Sequence, residues 1–278
     1  MPLARHFLTL AIVLLGLGPA SAATPIPCRY HAGLIWLKVA AAGKSEPLNF
    51  LLDSGAGASV LDLAAARRLG LRLGARQTVQ GVEGQCAAFR IDGLAAEVAG
   101  IPIPRSMLAP DLRPVSAACG QRIDGLLGMD FFRERIVQID YAAQKIRLLS
   151  RSELPVTGAQ ILPLVRRNDA LCVAVAVDGN APEWVRLDTG CSAAFEWVVS
   201  DAKRQRLNLT SIAAAAGSPR FIHLPVTLGA ERCANVTTGL HDRAMFAGES
   251  GLLGNGLLAR FVVTVDAAQS RLLLSRGP

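Results

Sequence analysis

Two aspartates in this chain, Asp53 and Asp188, share the same local sequence. Each ends an apolar run and precedes a small hydroxyl residue and a glycine, in the segments LLDSGA (51–56) and RLDTGC (186–191). Two carboxylates that share one proton can hydrolyse a peptide bond, because the ionised one takes a proton from water while the protonated one donates to the carbonyl oxygen. A single such segment could equally be a strand-ending turn, since aspartate, serine and glycine are ordinary turn residues.

The sequence that follows each aspartate is also repeated, which favours chemistry over a chance turn. The aspartates are 135 residues apart, and the tetrapeptide GLLG occurs at 125–128 and again at 251–254. Each tetrapeptide leads to an apolar run that ends in aspartate, at Asp140 and Asp266, 15 residues after its first glycine. We therefore predict a duplicated domain with one aspartate in the same setting in each half.

With these motifs the chain resembles the retropepsin-like and pepsin-like aspartic peptidases, as a duplicated, two-lobed protease of the bacterial type. The pattern of that family is a strand, then Asp-Thr/Ser-Gly-Ala, then a later strand that ends in two apolar residues and a glycine. The first half matches this pattern fully, and the second half departs from it at Cys191, where alanine is usual. The resemblance extends over roughly residues 34–274.

The resemblance implies a role for each residue around the two proposed catalytic aspartates, Asp53 and Asp188. The supporting residues of the active-site loops would be Ser54, Gly55, Thr189 and Gly190. The glycines would let the backbone turn tightly beside the carboxylates, and the hydroxyl groups would form hydrogen bonds across the lobe interface. The two Leu-Leu-Gly segments would pack beneath the loops and hold the aspartates in place.

A substrate flap is expected in the first lobe, at Gly81, Val82, Glu83 and Gly84. The corresponding segment of the second lobe, 213–219, is shorter and rich in alanine. This difference predicts either a cleft with one flap or a degenerate second lobe.

The remaining pattern predicts an all-β fold of two duplicated, acid-protease-like barrel lobes with a cleft between them. Short apolar runs separated by glycine and proline are typical of such folds. The predicted strands nearest the aspartates are 34–39, 48–52, 171–177 and 184–187, with a hairpin turn at 178–180. Helical spacing of apolar residues predicts a helix at 61–69, which ends at Gly70, and 199–207 occupies the matching place in the second half.

The first 22 residues have the features of a secretory signal peptide. Arg5 and His6 precede an apolar run at 7–17, and the small residues at 20–22 form a cleavage site. We expect the mature chain to contain a lobe at 23–151, a linker at 152–160 and a second lobe at 161–278. The protein would then be exported, to the periplasm or as a secreted protein, with no membrane span after cleavage.

The composition limits the partners and cofactors that can be expected. The net charge is +7, but the basic residues are scattered and few aromatic residues lie between them, so no nucleic-acid surface is predicted. Six cysteines in an exported chain suggest disulfides, of which Cys86–Cys119 and Cys191–Cys233 are the suggested pairs; the alternative is that some are buried thiols. No Cys-x-x-Cys pair is present, so no metal site is predicted. No cofactor is implied.

The function predicted from these features is that of an exported, monomeric aspartic endopeptidase acting on peptide or protein substrates. Two alternatives remain open at this point. The chain could be a catalytically reduced peptide-binding or assembly protein on the same fold, or a dimer that works through Asp53 alone. A separation of the two aspartates beyond the reach of a shared water would favour the binding or assembly protein.

Overall fold

The two aspartate motifs lie in two β lobes, one in each half of the chain, which confirms the prediction of an all-β, two-lobed fold. The structure, a computed structural model, describes residues 25–81, 84–154, 156–206, 220–244 and 246–277. The predicted signal peptide at 1–22 and the alanine-rich segment at 213–219 lie outside the described residues. Within the described ranges, no helix has the length and apolarity needed to cross a membrane.

The described elements are short strands with a few short helices between them. The strands of the first half are β1 (Ile26–Pro27), β2 (Arg29–His31), β3 (Leu34–Ala41), β4 (Leu48–Leu52), β5 (Val60–Leu61), β6 (Leu73–Gly81), β7 (Gly84–Ile91), β8 (Ala96–Val98), β9 (Ile101–Pro102), β10 (Met107–Pro110), β11 (Gly125–Leu127), β12 (Ile136–Asp140) and β13 (Lys145–Leu149). Those of the second half are β14 (Gln160–Arg167), β15 (Ala170–Val177), β16 (Glu183–Leu187), β17 (Phe195–Val198), β18 (Arg220–Leu228), β19 (Glu231–His241), β20 (Gly251–Leu253), β21 (Val262–Asp266) and β22 (Arg271–Ser275). The helices are α1 (Leu63–Arg68), α2 (Arg113–Ala118), α3 (Met129–Phe132), α4 (Asp201–Arg206) and α5 (Asn255–Leu258), and residues Arg151–Glu153 form a 3-10 turn.

The strands that deliver the aspartates form antiparallel pairs, as predicted. In the first lobe β3 pairs with β4, and in the second lobe β15 pairs with β16. The turn after β15 has positive φ angles at Asp178 (49°) and Gly179 (74°), which a type I′ hairpin turn requires. The predicted strand boundaries are within two residues of the observed ones.

The two Leu-Leu-Gly segments lie directly beside the aspartate strands. Strand β11 runs parallel to β4, and β20 runs parallel to β16. The next hydrogen bond beyond each pair reaches the aspartate itself: Asp53 N donates to Leu127 O (2.9 Å), and Asp188 N donates to Leu253 O (3.0 Å). Each aspartate backbone is therefore fixed by the repeated strand of its own lobe.

The first lobe forms an open sheet and the second lobe a closed barrel. The first-lobe sheet has the strand order β6-β7-β10-β5-β11-β4-β3-β8-β9. The second-lobe barrel has the order β15-β16-β20-β17-β19-β18, and pairing of β18 with β15 closes it. Apolar side chains of both lobes, among them Phe50, Leu52, Leu187 and Phe195, are fully buried and belong to one continuous core.

An inner sheet joins the two lobes with approximate two-fold symmetry. Its order is β1-β13-β12-β21-β22-β14, and the central pair, β12 with β21, is antiparallel. Gln138 faces Thr264 at the middle of this pair, and Gln138 Nε2 donates to Thr264 Oγ1 (3.2 Å). Because equivalent strands of the two halves meet here, equivalent residues of the two lobes can face each other across the interface, as in an isologous dimer.

Helices occur close to where the sequence predicts them, with different limits. Helix α1 begins at Leu63 rather than at residue 61, because Leu61 pairs with Gly125 in the sheet and Asp62 caps the helix. Asp62 Oδ2 accepts a hydrogen bond from Ala65 N (3.0 Å). Helix α4 spans Asp201–Arg206, and the predicted last residue, 207, lies outside the described residues.

Candidate active site

The two aspartates lie face to face at the interface between the lobes. A Cβ atom built on Gly55 would lie 2.4 Å from Cγ of Asp188, and one built on Gly190 would lie 2.5 Å from Cγ of Asp53. Each glycine therefore packs against the carboxyl group of the opposite lobe. The two carboxyl groups are also in hydrogen-bonding contact with each other. Both glycines are required for this approach, because any larger residue would displace a carboxyl group.

The hydroxyl groups of Ser54 and Thr189 connect the two aspartate loops reciprocally. Ser54 N donates to Thr189 Oγ1 (2.9 Å), and Thr189 N donates to Ser54 Oγ (3.1 Å). Each hydroxyl group then donates to the opposite strand, Ser54 Oγ to Leu187 O (2.8 Å) and Thr189 Oγ1 to Leu52 O (2.9 Å). Both side chains are fully buried, so these four hydrogen bonds hold the loops in one relative position.

The backbone turn after each aspartate supplies N–H groups to its carboxylate, but the two lobes differ. Asp53 Oδ1 accepts from Gly55 N (2.9 Å) and from Ala56 N (3.0 Å). Asp188 Oδ1 accepts from Gly190 N (2.8 Å). Hydrogen bonds of this kind favour the ionised carboxylate, so Asp53 has the more stabilising surroundings for a negative charge.

Burial sets the ionisation of the pair. Burial, together with the negative charge of Asp53, raises the pKa of Asp188 to about 8. Burial also raises the pKa of Asp53, against the opposing effect of its N–H donors. Two carboxylates in contact cannot both be charged at low cost, so the pair keeps one proton between them over a wide pH range. The arrangement can therefore hold a general base and a general acid at the same time.

A buried ion pair lies beside the aspartates and was not identified from the sequence. Arg186 forms a bidentate pair with Glu249, through Nε to Oε2 (2.7 Å) and Nη2 to Oε1 (2.6 Å), and both residues are at most 5% exposed. The ring of Phe246 covers the guanidinium group, with 3.4 Å from Cζ to the ring centre. The sequence feature that could have indicated this ion pair is a charged residue in an otherwise apolar strand. Arg186 lies two residues before Asp188, whereas the equivalent residue before Asp53 is Leu51.

Two hairpin turns also cross the lobe interface, in matching positions. The turn before β3 places Gly33 against Ser192, since a Cβ atom on Gly33 would lie 2.7 Å from Cβ of Ser192. The turn before β15 places Asp169 against Gly57, since a Cβ atom built on Gly57 would lie 3.1 Å from Cβ of Asp169. Ser192 and Gly57 each lie four residues after an aspartate. Each lobe therefore supports the aspartate loop of the other, which sequence reasoning did not detect because it depends on how the lobes pack.

The expected flap residues lie on a hairpin of the first lobe. Strands β6 and β7 pair up to Gly81 and Gly84, the last pair of the ladder, and Gly84 has a φ angle of 124°. Val82 and Glu83 lie outside the described residues. The hairpin has the form expected of a flap, and its contact with substrate stays a prediction.

The suggested disulfides are wrong. All six cysteines belong to the described residues, and all are free thiols. Cys233 is buried on β19 opposite Val226, whereas Cys191 lies in the aspartate loop beside Gly254. Cys172 is likewise buried, so the alternative interpretation of buried thiols describes these positions better.

We expect Cys191→Ala to leave peptidase activity nearly unchanged, because alanine preserves the small volume that the loop requires. Burial and the charge of Asp188 raise the pKa of the Cys191 thiol to about 12, so the thiol is neutral and slow to react with alkylating agents at neutral pH. Turnover of a peptide substrate, with and without reducing agent, provides the measurement. The comparison variant Cys191→Leu overfills the space beside Gly254 and should be impaired. An inactive but folded Cys191→Ala protein would contradict this interpretation.

The comparison with known families agrees with the geometry of the site. Residues 37–131 match the family model described as aspartyl protease. No curated protein matches the chain significantly. The matched segment contains Asp53, its hydroxyl and glycine neighbours, and the first Leu-Leu-Gly strand. This part of the first lobe is therefore similar to the aspartyl proteases.

Proposed function

We propose that this protein is an exported aspartic endopeptidase whose single active site is formed by Asp53 and Asp188. The observation that carries this proposal is the contact of the two carboxyl groups, with Gly55 and Gly190 each packed on the opposite aspartate. A strand-ending turn would not need the carboxylate of a second lobe within hydrogen-bonding distance. The separation that would have favoured a pure binding protein is not observed.

In the proposed mechanism, the pair and a water molecule are sufficient for hydrolysis of a peptide bond. The ionised carboxylate takes a proton from the water, and the oxygen of the water forms a bond to the carbonyl carbon. The protonated carboxyl group gives its proton to the carbonyl oxygen, so that a neutral tetrahedral intermediate forms. Collapse of this intermediate breaks the bond between carbon and nitrogen. The newly protonated carboxyl group gives its proton to the leaving nitrogen, and the other carboxylate takes the proton of one hydroxyl group, which restores the singly protonated pair. The substrate would be an extended peptide in the cleft, covered by the β6–β7 hairpin.

Export and a monomeric state complete the proposal. The basic start, apolar run and small residues within residues 1–22 support cleavage by a signal peptidase. Two lobes in one chain supply both aspartates, so the site needs no second copy of the chain.

Activity should have a bell-shaped dependence on pH, because only the singly protonated pair is competent. At low pH both carboxyl groups are protonated and no general base is present. Since the pKa of Asp188 is raised to about 8, the remaining proton is lost, and activity falls, as the pH rises through that region. Initial rates of hydrolysis of a denatured protein substrate across the pH range provide the measurement.

The same assay separates this mechanism from others. A statine-type peptide, whose hydroxyl group takes the place of the attacking water, should inhibit hydrolysis, and a metal chelator should not. Activity that a chelator abolishes and the statine peptide does not affect would place the chemistry elsewhere in the molecule.

A further inference from the structure

The two aspartates have unequal surroundings although the lobes are duplicates. Asp53 Oδ1 accepts hydrogen bonds from both Gly55 N and Ala56 N. In the second lobe the equivalent of Ala56 is Cys191. Both N–H groups bond to the main-chain oxygen of their own aspartate, Ala56 N to Asp53 O (3.2 Å) and Cys191 N to Asp188 O (3.3 Å), but Ala56 N also bonds to the carboxylate, whereas no such bond is seen for Cys191 N. Asp188 Oδ1 therefore has one backbone donor, Gly190 N, where Asp53 Oδ1 has two.

The additional donor of Asp53 is linked to a buried positive charge. Arg186 Nη1 donates to Gly55 O (2.7 Å), and this oxygen belongs to the same peptide group as Ala56 N. The guanidinium group and the carboxylate thus bind opposite ends of one peptide group. A hydrogen bond to the carbonyl oxygen polarises the peptide and strengthens the bond that its N–H group donates. Arg186 can therefore favour the ionised form of Asp53 through the backbone of the opposite lobe.

Arg186 is held firmly in the position that this link requires. Glu249 fixes Nε and Nη2, which leaves Nη1 for Gly55 O, and Asn168 Nδ2 donates to Glu249 Oε1 (3.0 Å). The register of the strands places Leu51 at the equivalent position of the first lobe, where Leu126 faces it as Leu252 faces Arg186. One lobe therefore carries a guanidinium group and the other an apolar side chain.

We propose that Arg186 is a positioning residue that, through the Gly55–Ala56 peptide group, keeps Asp53 as the ionised member of the pair and the proton on Asp188. This inference rests on the proposed function for its catalytic meaning. Asp53 would then take the proton from the attacking water, and Asp188 would donate its own proton to the carbonyl oxygen of the substrate.

The charges around the pair agree with this assignment. Among the described residues, Arg186 is the cation that acts on both aspartates, and its charge lowers the pKa of each. The thiol of Cys191 also faces the pair, and that of Cys172 lies near Arg186 and Glu249. Both thiols are neutral near pH 7, since burial raises the pKa of Cys191 to about 12 and that of Cys172 to about 11. The through-space effect of Arg186 acts on both aspartates, whereas the effect through the peptide group acts on Asp53 alone.

The test measures each aspartate separately, by carbon-13 NMR titration of the labelled carboxyl groups. In Asp188→Asn the remaining Asp53 titrates without a partner, and in Asp53→Asn the remaining Asp188 does the same. We expect Asp53 to ionise at a pH lower by about one unit, since it has an additional N–H donor and its link to Arg186. Equal pKa values for the two aspartates, or a lower pKa for Asp188, would overturn the assignment.

The role of Arg186 is tested by repeating both titrations with Arg186→Met and Glu249→Met combined. The double replacement removes the charges of Arg186 and Glu249 together, so that neither is left as a buried charge without its ion-pair partner. The pKa of Asp53 should rise by more than the pKa of Asp188. An equal rise of both pKa values would show that Arg186 acts only through space, and would overturn the role of the peptide group.

These titrations do not require turnover, so a failed proton assignment and a failed peptidase function are distinguishable. If the double variant does not fold, Arg186→Lys provides the second comparison. Lysine keeps the charge but cannot bind Glu249 and Gly55 O in the same geometry. The difference between the pKa values of Asp53 and Asp188 should therefore become smaller. An unchanged difference in a folded Arg186→Lys protein would overturn the proposal.

Discussion

Asp53→Asn and Asp188→Asn should each lower kcat by about 10⁴-fold or more, because each change removes one of the two proton-transfer groups that act in the same step. Asparagine has nearly the same shape as aspartate and keeps an oxygen for the N–H groups that now bond to Asp53 or Asp188. It can neither accept a proton from water nor donate one to a carbonyl oxygen as a carboxylic acid does. Hydrolysis rates of the purified variants provide the measurement.

Folding should survive both changes, since each one removes a buried ionisable group and leaves the packing intact. The free energy of unfolding at neutral pH should be equal to or higher than that of the wild type, because each change replaces a carboxyl group whose charged form is disfavoured by burial. Asp178→Asn, at the exposed turn after β15, is the matched control and should retain full activity. Full activity in Asp188→Asn, with loss only in Asp53→Asn, would support a dimer that works through Asp53.

Gly55→Ala and Gly190→Ala should have the second largest effects. A methyl group on Gly55 would overlap the carboxyl group of Asp188, at 2.4 Å from Cγ, 2.5 Å from Oδ1 and 2.6 Å from Oδ2. The carboxyl group must move or the lobes must separate, and a displacement of about 1 Å can cost about 10²-fold in rate. We therefore expect a loss of kcat of about 10²-fold or more for each variant.

The control for the glycine variants is Gly277→Ala, because a Cβ atom at Gly277 meets no other atom within 4 Å. This variant should match the wild type in both activity and stability. Thermal unfolding of all three variants shows whether lost activity follows from a displaced carboxyl group or from an unfolded chain. Wild-type activity in Gly55→Ala would contradict the close packing of the glycine on Asp188.

The features that could be predicted from the sequence are those that depend on local pattern and repetition. The strands that end at Asp53 and Asp188 are short apolar runs followed by turn residues, and the two Leu-Leu-Gly strands repeat with the same spacing. The family resemblance then implied that the hydroxyl groups of Ser54 and Thr189 bond across the interface, which the four hydrogen bonds between the loops match.

The features that could not be predicted depend on residues that meet only after the lobes pack. Arg186 and Glu249 are 63 residues apart, and nothing in either local sequence names the other as its partner. The even number of cysteines suggested disulfides, but pairing depends on distances that the sequence does not contain. The start of α1 was placed too early because Leu61 fits the helical spacing, although it belongs to a strand that pairs with Gly125.

The most direct test of the account is the number of active sites per chain. A tight statine-type inhibitor, titrated calorimetrically into protein whose mass in solution has been measured, counts the sites. Our account predicts a monomer that binds one inhibitor molecule per chain, with binding strongly weakened in both Asp53→Asn and Asp188→Asn. One inhibitor molecule per two chains, with binding that Asp188→Asn does not affect, would contradict a single site built from the two lobes of one chain.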